Sequence, residues 1–217
     1  MSQEYRVIGL SPPEVKPGDD LARMIVGSAE RQAGGIQKGG IIVVMSKVVS
    51  KAKGYLERIE CVGPSMRAII LSKITKKPAW EAELILRHSK RVIAAIPAAS
   101  ILTRLGFHRM MRDSKRAVKV LSRDPVLLVE GESGLVCTDA GLDTSNVPQG
   151  YVAVPPLNPD EEAKVIRERI TCITGRRVAV VITDTEIRLT RLGSIDIAVG
   201  SSGIGVVKRN FGQPDLY

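Results

Sequence analysis

Two apolar runs, each long enough to form a strand, are followed by segments that carry acidic residues. Residues 134–137 precede Asp143, and the unbroken run at 178–182 precedes Asp184. Polar side chains that follow a strand end lie on loops held by a rigid scaffold, where binding sites are common. Because hard divalent cations prefer carboxylate oxygens, we expect Asp143 and Asp184 to meet around such an ion. The alternative is that each acid caps a turn or the start of a helix.

The composition is that of a chain with its own buried core. The 217 residues fit one large domain or two small ones, and 44% of them are hydrophobic with a mean hydropathy of +0.05. No apolar run approaches the roughly 18 residues that a membrane-spanning helix needs. The first residues, M-S-Q-E-Y-R, lack the basic-then-apolar order of a signal peptide. We therefore expect a cytoplasmic protein.

The net charge of +9 is concentrated in one segment. Between Arg87 and Arg123 there are ten Lys or Arg and one acid, Asp113, so this segment accounts for the whole imbalance. Such a block attracts anions, whether a phosphorylated substrate, a nucleic acid or an acidic lipid surface. A solvated helix face is the alternative interpretation. Aromatic residues are only 3% of the chain, so stacking platforms for single-stranded nucleic acid are poorly supplied.

Hydrophobic periodicity and breaker residues predict a mixture of helices and strands. Helices are predicted between residues 18 and 35 and at 64–76, 79–90, 101–121 and 160–173. Strands are predicted at 5–8, 41–45, 92–95, 125–130, 135–138, 178–182 and 195–199.

The predicted strand at 41–45 delivers three polar side chains into a loop or turn. Ser46, Lys47 and Lys51 offer a hydroxyl and two ammonium groups, which suit a phosphate. Exposed lysines on a surface turn are the equal alternative. The glycine-rich segments at 34–40 and 200–205 match neither the Walker loop nor G-x-G-x-x-G, so any nucleotide site has another design.

Seven short blocks occur in an order that resembles one known family. They are Gly9-Leu10 with G-D-D-L at 18–21, I-I-V-V-M-S-K-V-V-S-K at 41–51, residues 136–147, P-P-L-N-P-D at 155–160, G-R-R-V at 175–178, I-T-D-T at 182–185 extended by Arg188, Arg191 and Gly193, and D-L-Y at 215–217. Together they resemble the GTP-dependent gamma-glutamyl ligases of coenzyme F420 biosynthesis. The resemblance covers most of the chain outside residues 94–124.

The resemblance implies a fold, a reaction and a set of partners. The fold is α+β, with mixed sheets and flanking helices, and it forms an intertwined homodimer. In the reaction, GTP phosphorylates a carboxylate of a coenzyme F420 precursor, and the amine of L-glutamate displaces phosphate from this acyl phosphate to give an amide. The implied cofactors are Mg²⁺ or Mn²⁺, with K⁺ as a further candidate, and no membrane partner is implied.

The resemblance also carries site residues onto this sequence. Metal-binding positions of the family fall on Asp143, Asp184 and Thr185. Its GTP-binding positions fall on Leu10, Ser11, Pro12, Pro13, Glu14, Val15, Ser46, Lys47, Lys51 and Asn146. No catalytic base is evident, because a substrate carboxylate is already ionised and nucleophilic.

The chain departs from the family pattern at several positions. Lys47 stands where the family has threonine, Ile187 where glycine is usual, and Asp139 where asparagine is usual, which adds a carboxylate near the expected ions. Two extra residues lie between Leu10 and Lys16. We expect a single domain over residues 1–217, with a basic insertion at about 94–124 and with the family's C-terminal part missing.

A second hypothesis assigns the function to the basic insertion. On this view the chain is a non-catalytic or divergent paralogue that binds nucleic acid or an acidic partner through residues 94–124. The ligase is the favoured hypothesis, because a decayed enzyme has no need to keep both acids together with Asn146 and Lys51.

Overall fold

The computed structural model contains both helices and strands, and it describes residues 4–97, 125–187 and 194–207 with isolated positions at 100, 101, 104, 106, 113, 115 and 212. The helices are Leu21–Ala33 (α1), Ser46–Lys53 (α2), Met66–Thr75 (α3), Ala79–Arg87 (α4) and Pro159–Thr174 (α5). The strands are Ile41–Met45 (β1), Leu56–Arg58 (β2), Ser89–Ile96 (β3), Val126–Gly131 (β4), Val136–Thr138 (β5), Tyr151–Ala153 (β6), Ala179–Ile187 (β7) and Ser194–Ser202 (β8). Single turns of 3-10 helix span Ile59–Cys61 and Asp139–Gly141.

The strands of the described chain form small mixed and antiparallel sheets. In the first sheet β7 lies between β1, which is parallel to it, and β8, which is antiparallel. Strands β2 and β6 form an antiparallel pair, and β3, β4 and β5 form an antiparallel sheet. This arrangement confirms the expected α+β class with mixed sheets and flanking helices.

The largest core cluster lies between the first sheet and the helices α1 and α5. Its buried side chains include Ile25 and Val26 of α1, Ile170 of α5, and Val180 and Ile182 of β7. Burying such aliphatic side chains removes apolar surface from water, which is the main stabilising contribution to a fold of this size. The core therefore fixes β1 and β7, the two strands that lead to the candidate site.

The helix ends match their sequence signals. The Asp20 side chain accepts a hydrogen bond from the backbone N–H of Arg23 and caps α1, which ends at Gly34 in the left-handed conformation. Helix α5 carries three acids in its first turn and ends at Gly175, again left-handed. Acids near the positive N-terminal end and glycine past the C-terminal end both stabilise a helix.

Most predicted elements are present, and two are wrong. Residues 5–8 are irregular and Val7 is 95% exposed, because a strand forms only where a second strand supplies ladder hydrogen bonds. Ser46, Lys47 and Lys51 lie on helix α2 and not on a loop. The sequence analysis did not predict this helix, because its buried apolar residues Val49 and Ala52 repeat over only one helical turn.

The predicted basic helix at 101–121 lies, apart from isolated positions, outside the described residues. No helix within the described residues is both long and apolar enough to cross a bilayer.

Candidate active site

Strand pairing brings Asp184 to the start of helix α2. Strands β1 and β7 are parallel neighbours, with Met45 opposite Thr183. The next residue of each segment is therefore adjacent, and the Ser46 hydroxyl donates a 2.8 Å hydrogen bond to Asp184 Oδ1. Asp184 lies inside β7, which is longer than the predicted run, so it is held by the sheet and not by a loop.

The second acid reaches the same place from a loop. Main-chain hydrogen bonds in both directions tie Asp143 to Ala153 of β6. Its Oδ1 accepts a 2.6 Å hydrogen bond from the backbone N–H of Ser145, and its Oδ2 lies 2.8 Å from Lys47 Nζ. Lys47 Nζ also donates a 2.8 Å hydrogen bond to the Ser145 hydroxyl. Because Ser46 and Lys47 are consecutive, the two acids converge at the first turn of α2.

The two carboxylates have opposite electrostatic environments. Burial raises the pKa of Asp184, and the negative charge of Asp143 adds to that effect, so together they outweigh the hydrogen bonds from Ser46 and the Thr185 backbone. Burial also opposes ionisation of Asp143, but hydrogen bonds from Lys47 and Ser145 lower its pKa below the ordinary value. The charge of Asp143 acts on Asp184, in keeping with their convergence at the first turn of α2.

The donor set fits a hard cation that is shared with a phosphorylated ligand. Two carboxylates and the Ser46 hydroxyl supply oxygen atoms at one place, and a cation would relieve the repulsion between Asp143 and Asp184. Within the ranges that the structure describes, no cluster of three or more His, Cys, Asp or Glu could hold a metal. The remaining ligands would then be water and phosphate oxygens, as is usual for Mg²⁺.

A tight turn supports Asp184 from the other side. Gly141 has a φ of +69°, and a Cβ built on it would lie 3.0 Å from Asp184 Oδ2 and 3.4 Å from Pro155 Cγ. A glycine at this position permits both the left-handed backbone and the close approach of the carboxylate. The turn at Asp139–Gly141 therefore forms part of the wall around the acid.

Asp139 stabilises this turn by its contacts with a backbone N–H and a buried lysine. Its Oδ1 accepts a 2.9 Å hydrogen bond from the backbone N–H of Leu127, and its Oδ2 lies 3.3 Å from Nζ of Lys77. Lys77 is buried and also lies 2.8 Å from Glu81 Oε1. Leu127 and Lys77 thus engage both Asp139 oxygens, and the expectation that Asp139 adds a carboxylate near the ions stays a prediction.

Thr185 and Asp184 point to opposite faces of β7, because side chains alternate along a strand. The Thr185 hydroxyl donates a 2.7 Å hydrogen bond to Asp196 on the exposed face. The backbone N–H of Thr185 donates to the Asp184 carboxylate. If Thr185 contributes to a cation site, it therefore does so through its main chain and not through its hydroxyl.

The segment predicted to hold GTP runs beside α2. Lys51 Nζ lies 3.7 Å from Glu14 Oε1, and Ser11 exchanges two 2.9 Å hydrogen bonds with the Gln32 side chain of α1. The side chains of Leu10 and Val15 pack on the main core, which leaves their backbone for any ligand.

The remaining predicted GTP residues divide between exposed and site positions. Pro12 and Pro13 are exposed, and so is Asn146, which has a φ of +57° and follows Ser145 in the loop beside Lys47. The structure thus gathers Ser46, Lys47 and the loop of Asn146 around the acid pair.

A cleft lies beside Asp184. Its walls include Ser46, Asp184 and Gly141, together with His88, Glu132 and Leu157. The Nε2 atom of His88 lies 3.1 Å from Glu57 Oε1. His88, Glu132 and Leu157 also line an adjoining cavity, so the two spaces share a wall.

Two residues of the site were not predicted. Ser145 was detectable, because a serine two positions after an aspartate is typical of a turn closed by the acid side chain. Lys77 carried no useful signal, since a lysine before Pro78 is typical of an exposed helix end.

Several predicted features lie outside the described residues. These are Arg188, Arg191, Gly193, the D-L-Y block at 215–217 and most of the basic insertion. The hypothesis of a nucleic-acid or acidic partner depends on that insertion, so it stays a prediction from the sequence.

Comparison with known proteins identifies the family. Residues 9–217 match the family described as F420-0:Gamma-glutamyl ligase. The coenzyme F420:L-glutamate ligase of Archaeoglobus fulgidus is 37% identical over 94% of this chain and 69% of its own length. The proteins of the same name from Methanopyrus kandleri and Methanocaldococcus jannaschii are 34% and 30% identical, over 94% and 99% of this chain and 68% and 74% of theirs. The chain belongs to the F420-0:gamma-glutamyl ligase family.

Proposed function

We propose that the chain joins L-glutamate to a carboxylate of a coenzyme F420 precursor in a GTP-dependent reaction. The family and the names of the relatives support the reaction class. The observation that carries the proposal is the convergence of Asp143, Asp184, Ser46 and Lys47 at the start of α2. Phosphoryl transfer is catalysed mainly by positioning and by charge neutralisation, and this group of side chains supplies both.

The acid pair would hold the divalent cation. Asp143 and Asp184 would bind Mg²⁺ or Mn²⁺ through carboxylate oxygens, with the Ser46 hydroxyl alongside. When bound, the ion neutralises charge on the phosphate oxygens and orients the transferred group. Thr185 would act through its main chain, since its hydroxyl is bonded to Asp196. A K⁺ ion is a further cofactor, proposed from the resemblance alone.

The start of α2 would hold the phosphates of GTP. Among the described residues no side chain caps this helix at Met45, so the first N–H groups remain as donors for an anion. Lys47 and Lys51 lie one turn apart on the same helix and add two positive charges. Glu14, 3.7 Å from Lys51, ties the segment at 10–15 to this phosphate region.

The reaction would proceed in two displacements. A carboxylate oxygen of the precursor attacks the γ-phosphorus of GTP, the bond to the bridging oxygen breaks, and GDP leaves. The neutral amine of L-glutamate then attacks the carbonyl carbon of the acyl phosphate. Inorganic phosphate leaves with the oxygen that joined it to carbon, and the nitrogen loses one proton to solvent. The chain's residues position these groups and neutralise charge, and no side chain is assigned as a base.

The precursor and L-glutamate would occupy the cleft beside Asp184. Gly141 and Ser46 line its inner end, where the carboxylate would meet the γ-phosphate. His88 and Glu132 line both this cleft and the adjoining cavity, where the rest of the acceptor would lie.

An exposed apolar strand face supports a homodimer. Ile41, Val43 and Met45 of β1 point to the same face and are 54%, 62% and 37% exposed. A row of exposed aliphatic side chains on one strand is typical of a protein interface. We expect a second copy of the chain to cover this face, and light scattering of a Val43→Lys variant tests it by showing monomer where the wild type shows dimer.

The activity is tested by product formation. Purified protein is incubated with GTP, L-glutamate, Mg²⁺ or Mn²⁺ and the deazaflavin acceptor F420-0. The products are separated and identified by mass spectrometry. We expect one added glutamyl group that depends on each component. Absence of any glutamylated product, while the Archaeoglobus relative gives product in parallel, would overturn the assignment.

Isotope transfer tests the acyl phosphate separately. An acceptor labelled with ¹⁸O in its carboxylate should deliver one labelled oxygen to inorganic phosphate, since that oxygen bridges carbon and phosphorus in the intermediate. Glutamylation with no label in phosphate would leave the ligase in place and reject the acyl phosphate.

A further inference from the structure

Lys47 makes a short ion pair inside the candidate cation site. Its Nζ lies 2.8 Å from Asp143 Oδ2 and 2.8 Å from the Ser145 hydroxyl. The Lys47 side chain is 21% exposed and that of Asp143 is 31% exposed, so water only partly screens their charges. One carboxylate oxygen of Asp143 therefore already has a cation of the chain beside it.

The charges around Asp143 and Asp184 indicate that Lys47 competes with a divalent cation. Asp143 and Asp184 carry two negative charges, and the ammonium of Lys47 cancels one of them. Lys51, the next lysine on this face of α2, lies 3.7 Å from Glu14 instead. A divalent ion placed between the two acids would meet both a reduced negative charge and the repulsion of the nearby ammonium.

We propose that Lys47 is a built-in counter-ion of this centre, which competes with a divalent cation for Asp143 until a phosphate group draws the ammonium away. In the absence of nucleotide, the ammonium stays on Asp143 and divalent ions bind weakly. Phosphate oxygens offer Lys47 a stronger partner, so nucleotide and metal bind with positive cooperativity. This inference rests on the proposed cation site and not on the identity of the acceptor.

Substitutions of Lys47 distinguish the effect of its positive charge from any effect on folding. Lys47→Met removes the ammonium and keeps much of the side-chain volume, whereas Lys47→Arg keeps the positive charge. Lys53→Met is the matched control, because Lys53 lies on the same helix and makes a 2.8 Å ion pair with Glu162. Asp184→Asn shows how much of the measured Mn²⁺ binding occurs at this site.

Mn²⁺ affinity without nucleotide is the direct test, measured by calorimetry and by the electron paramagnetic resonance signal of free Mn²⁺. We expect Lys47→Met to bind Mn²⁺ at least about tenfold more tightly than the wild type, because a competing positive charge is lost. Lys47→Arg and Lys53→Met should resemble the wild type, and Asp184→Asn should lose the binding. Circular dichroism confirms that each variant is folded before it is titrated.

Addition of a non-hydrolysable GTP analogue tests the second half of the proposal. The analogue should tighten Mn²⁺ binding more in the wild type than in Lys47→Met, because only the wild type has an ammonium to displace. Equal tightening in both proteins would reject the displacement.

The outcomes distinguish this inference from the proposed function. Mn²⁺ binding that is unchanged or weaker in Lys47→Met would overturn the counter-ion and leave the cation site standing. No Mn²⁺ binding at Asp184 in any of the variants, with or without the analogue, would overturn both.

Discussion

The Ser46 hydroxyl donates a 2.8 Å hydrogen bond to Asp184, and this bond joins the first residue of α2 to the middle of β7. It favours the ionised form of a carboxylate whose pKa is raised, first by burial and then by the charge of Asp143. The hydroxyl thus supports the charge that the proposed function requires of Asp184.

Ser46→Ala should lower the free energy of unfolding by about 1 kcal/mol at neutral pH, because one hydrogen bond is lost. The pKa of Asp184 lies above its ordinary value of 3.8, and the lost bond favoured the charged form. The deficit of the variant should therefore be present above that pKa and shrink as the pH falls through it. Urea unfolding of both proteins across the acid range measures this.

Ser50→Ala is the control for that series. Ser50 lies one turn further along α2, and its hydroxyl donates a buried 2.6 Å hydrogen bond to the Val154 carbonyl. Neither the hydroxyl nor the carbonyl titrates, so the loss of unfolding free energy in Ser50→Ala should not vary with pH. A pH-independent deficit in Ser46→Ala would show that the hydrogen bond does not act on the charge of Asp184.

Gly141→Ala should damage both stability and the site. The left-handed φ costs an alanine about 1 kcal/mol, and the new Cβ would lie 3.0 Å from Asp184 Oδ2. Gly150→Ala is matched, since Gly150 has a φ of +82° but nothing within 4 Å of a Cβ. We expect similar backbone costs, with weaker Mn²⁺ binding in Gly141→Ala alone. Equal Mn²⁺ affinities would show that Gly141 does not position the acid.

Lys77→Met should be the most destabilising of these substitutions. It removes the buried cation that lies 3.3 Å from Asp139 and 2.8 Å from Glu81, at an expected cost of about 3 kcal/mol. The double variant Lys77→Met with Asp139→Asn should recover part of this loss, because one uncompensated charge is removed. Chemical denaturation of the two variants measures the difference, and an unchanged midpoint in Lys77→Met would contradict the ion pair.

Glu83 should make the fold sensitive to acid. Hydrogen bonds from Ser65, together with the nearby Arg87, lower the pKa of Glu83 from 4.5 to about 2. A lowered carboxyl pKa stabilises the fold above pH 4.5, and this contribution is lost as the pH falls toward 2. Glu83→Gln should therefore be less stable by about 2 kcal/mol at pH 7, with the difference closing in acid. A constant difference would argue against the shifted pKa.

The parts of the fold with strong local signals were predictable from sequence. Helix α1 has an aspartate cap at Asp20 and a terminal Gly34, and both signals act within one turn. Helix α2 was missed because its eight residues have only one turn of buried spacing, and it is held by packing against β1 and β7. Tertiary contacts, and not local propensity, decide such short helices.

The candidate site divides in the same way. Asp143 and Asp184 were predictable as a pair, since each follows an apolar run of strand length in the sequence. The engagement of Asp139 by Lys77 was not, because it joins residues 62 positions apart whose local sequence suggests exposed positions. The face on which Thr185 lies was likewise hidden until β7 was known to continue through it, which places alternate side chains on opposite sides.

The decisive measurement is the melting temperature with Mn²⁺ and a GTP analogue for the wild type, Asp143→Asn, Asp184→Asn and the control Asp196→Asn. Ligands at 100 times their dissociation constant should raise the Tm of the wild type and of Asp196→Asn by roughly 5–10 °C. Neither Asp143→Asn nor Asp184→Asn should respond, and without ligands Asp184→Asn should melt no lower than the wild type, since it removes a buried charge. A wild type that ignores Mn²⁺, or a shift that persists in both asparagine variants, would contradict a shared cation site at Asp143 and Asp184.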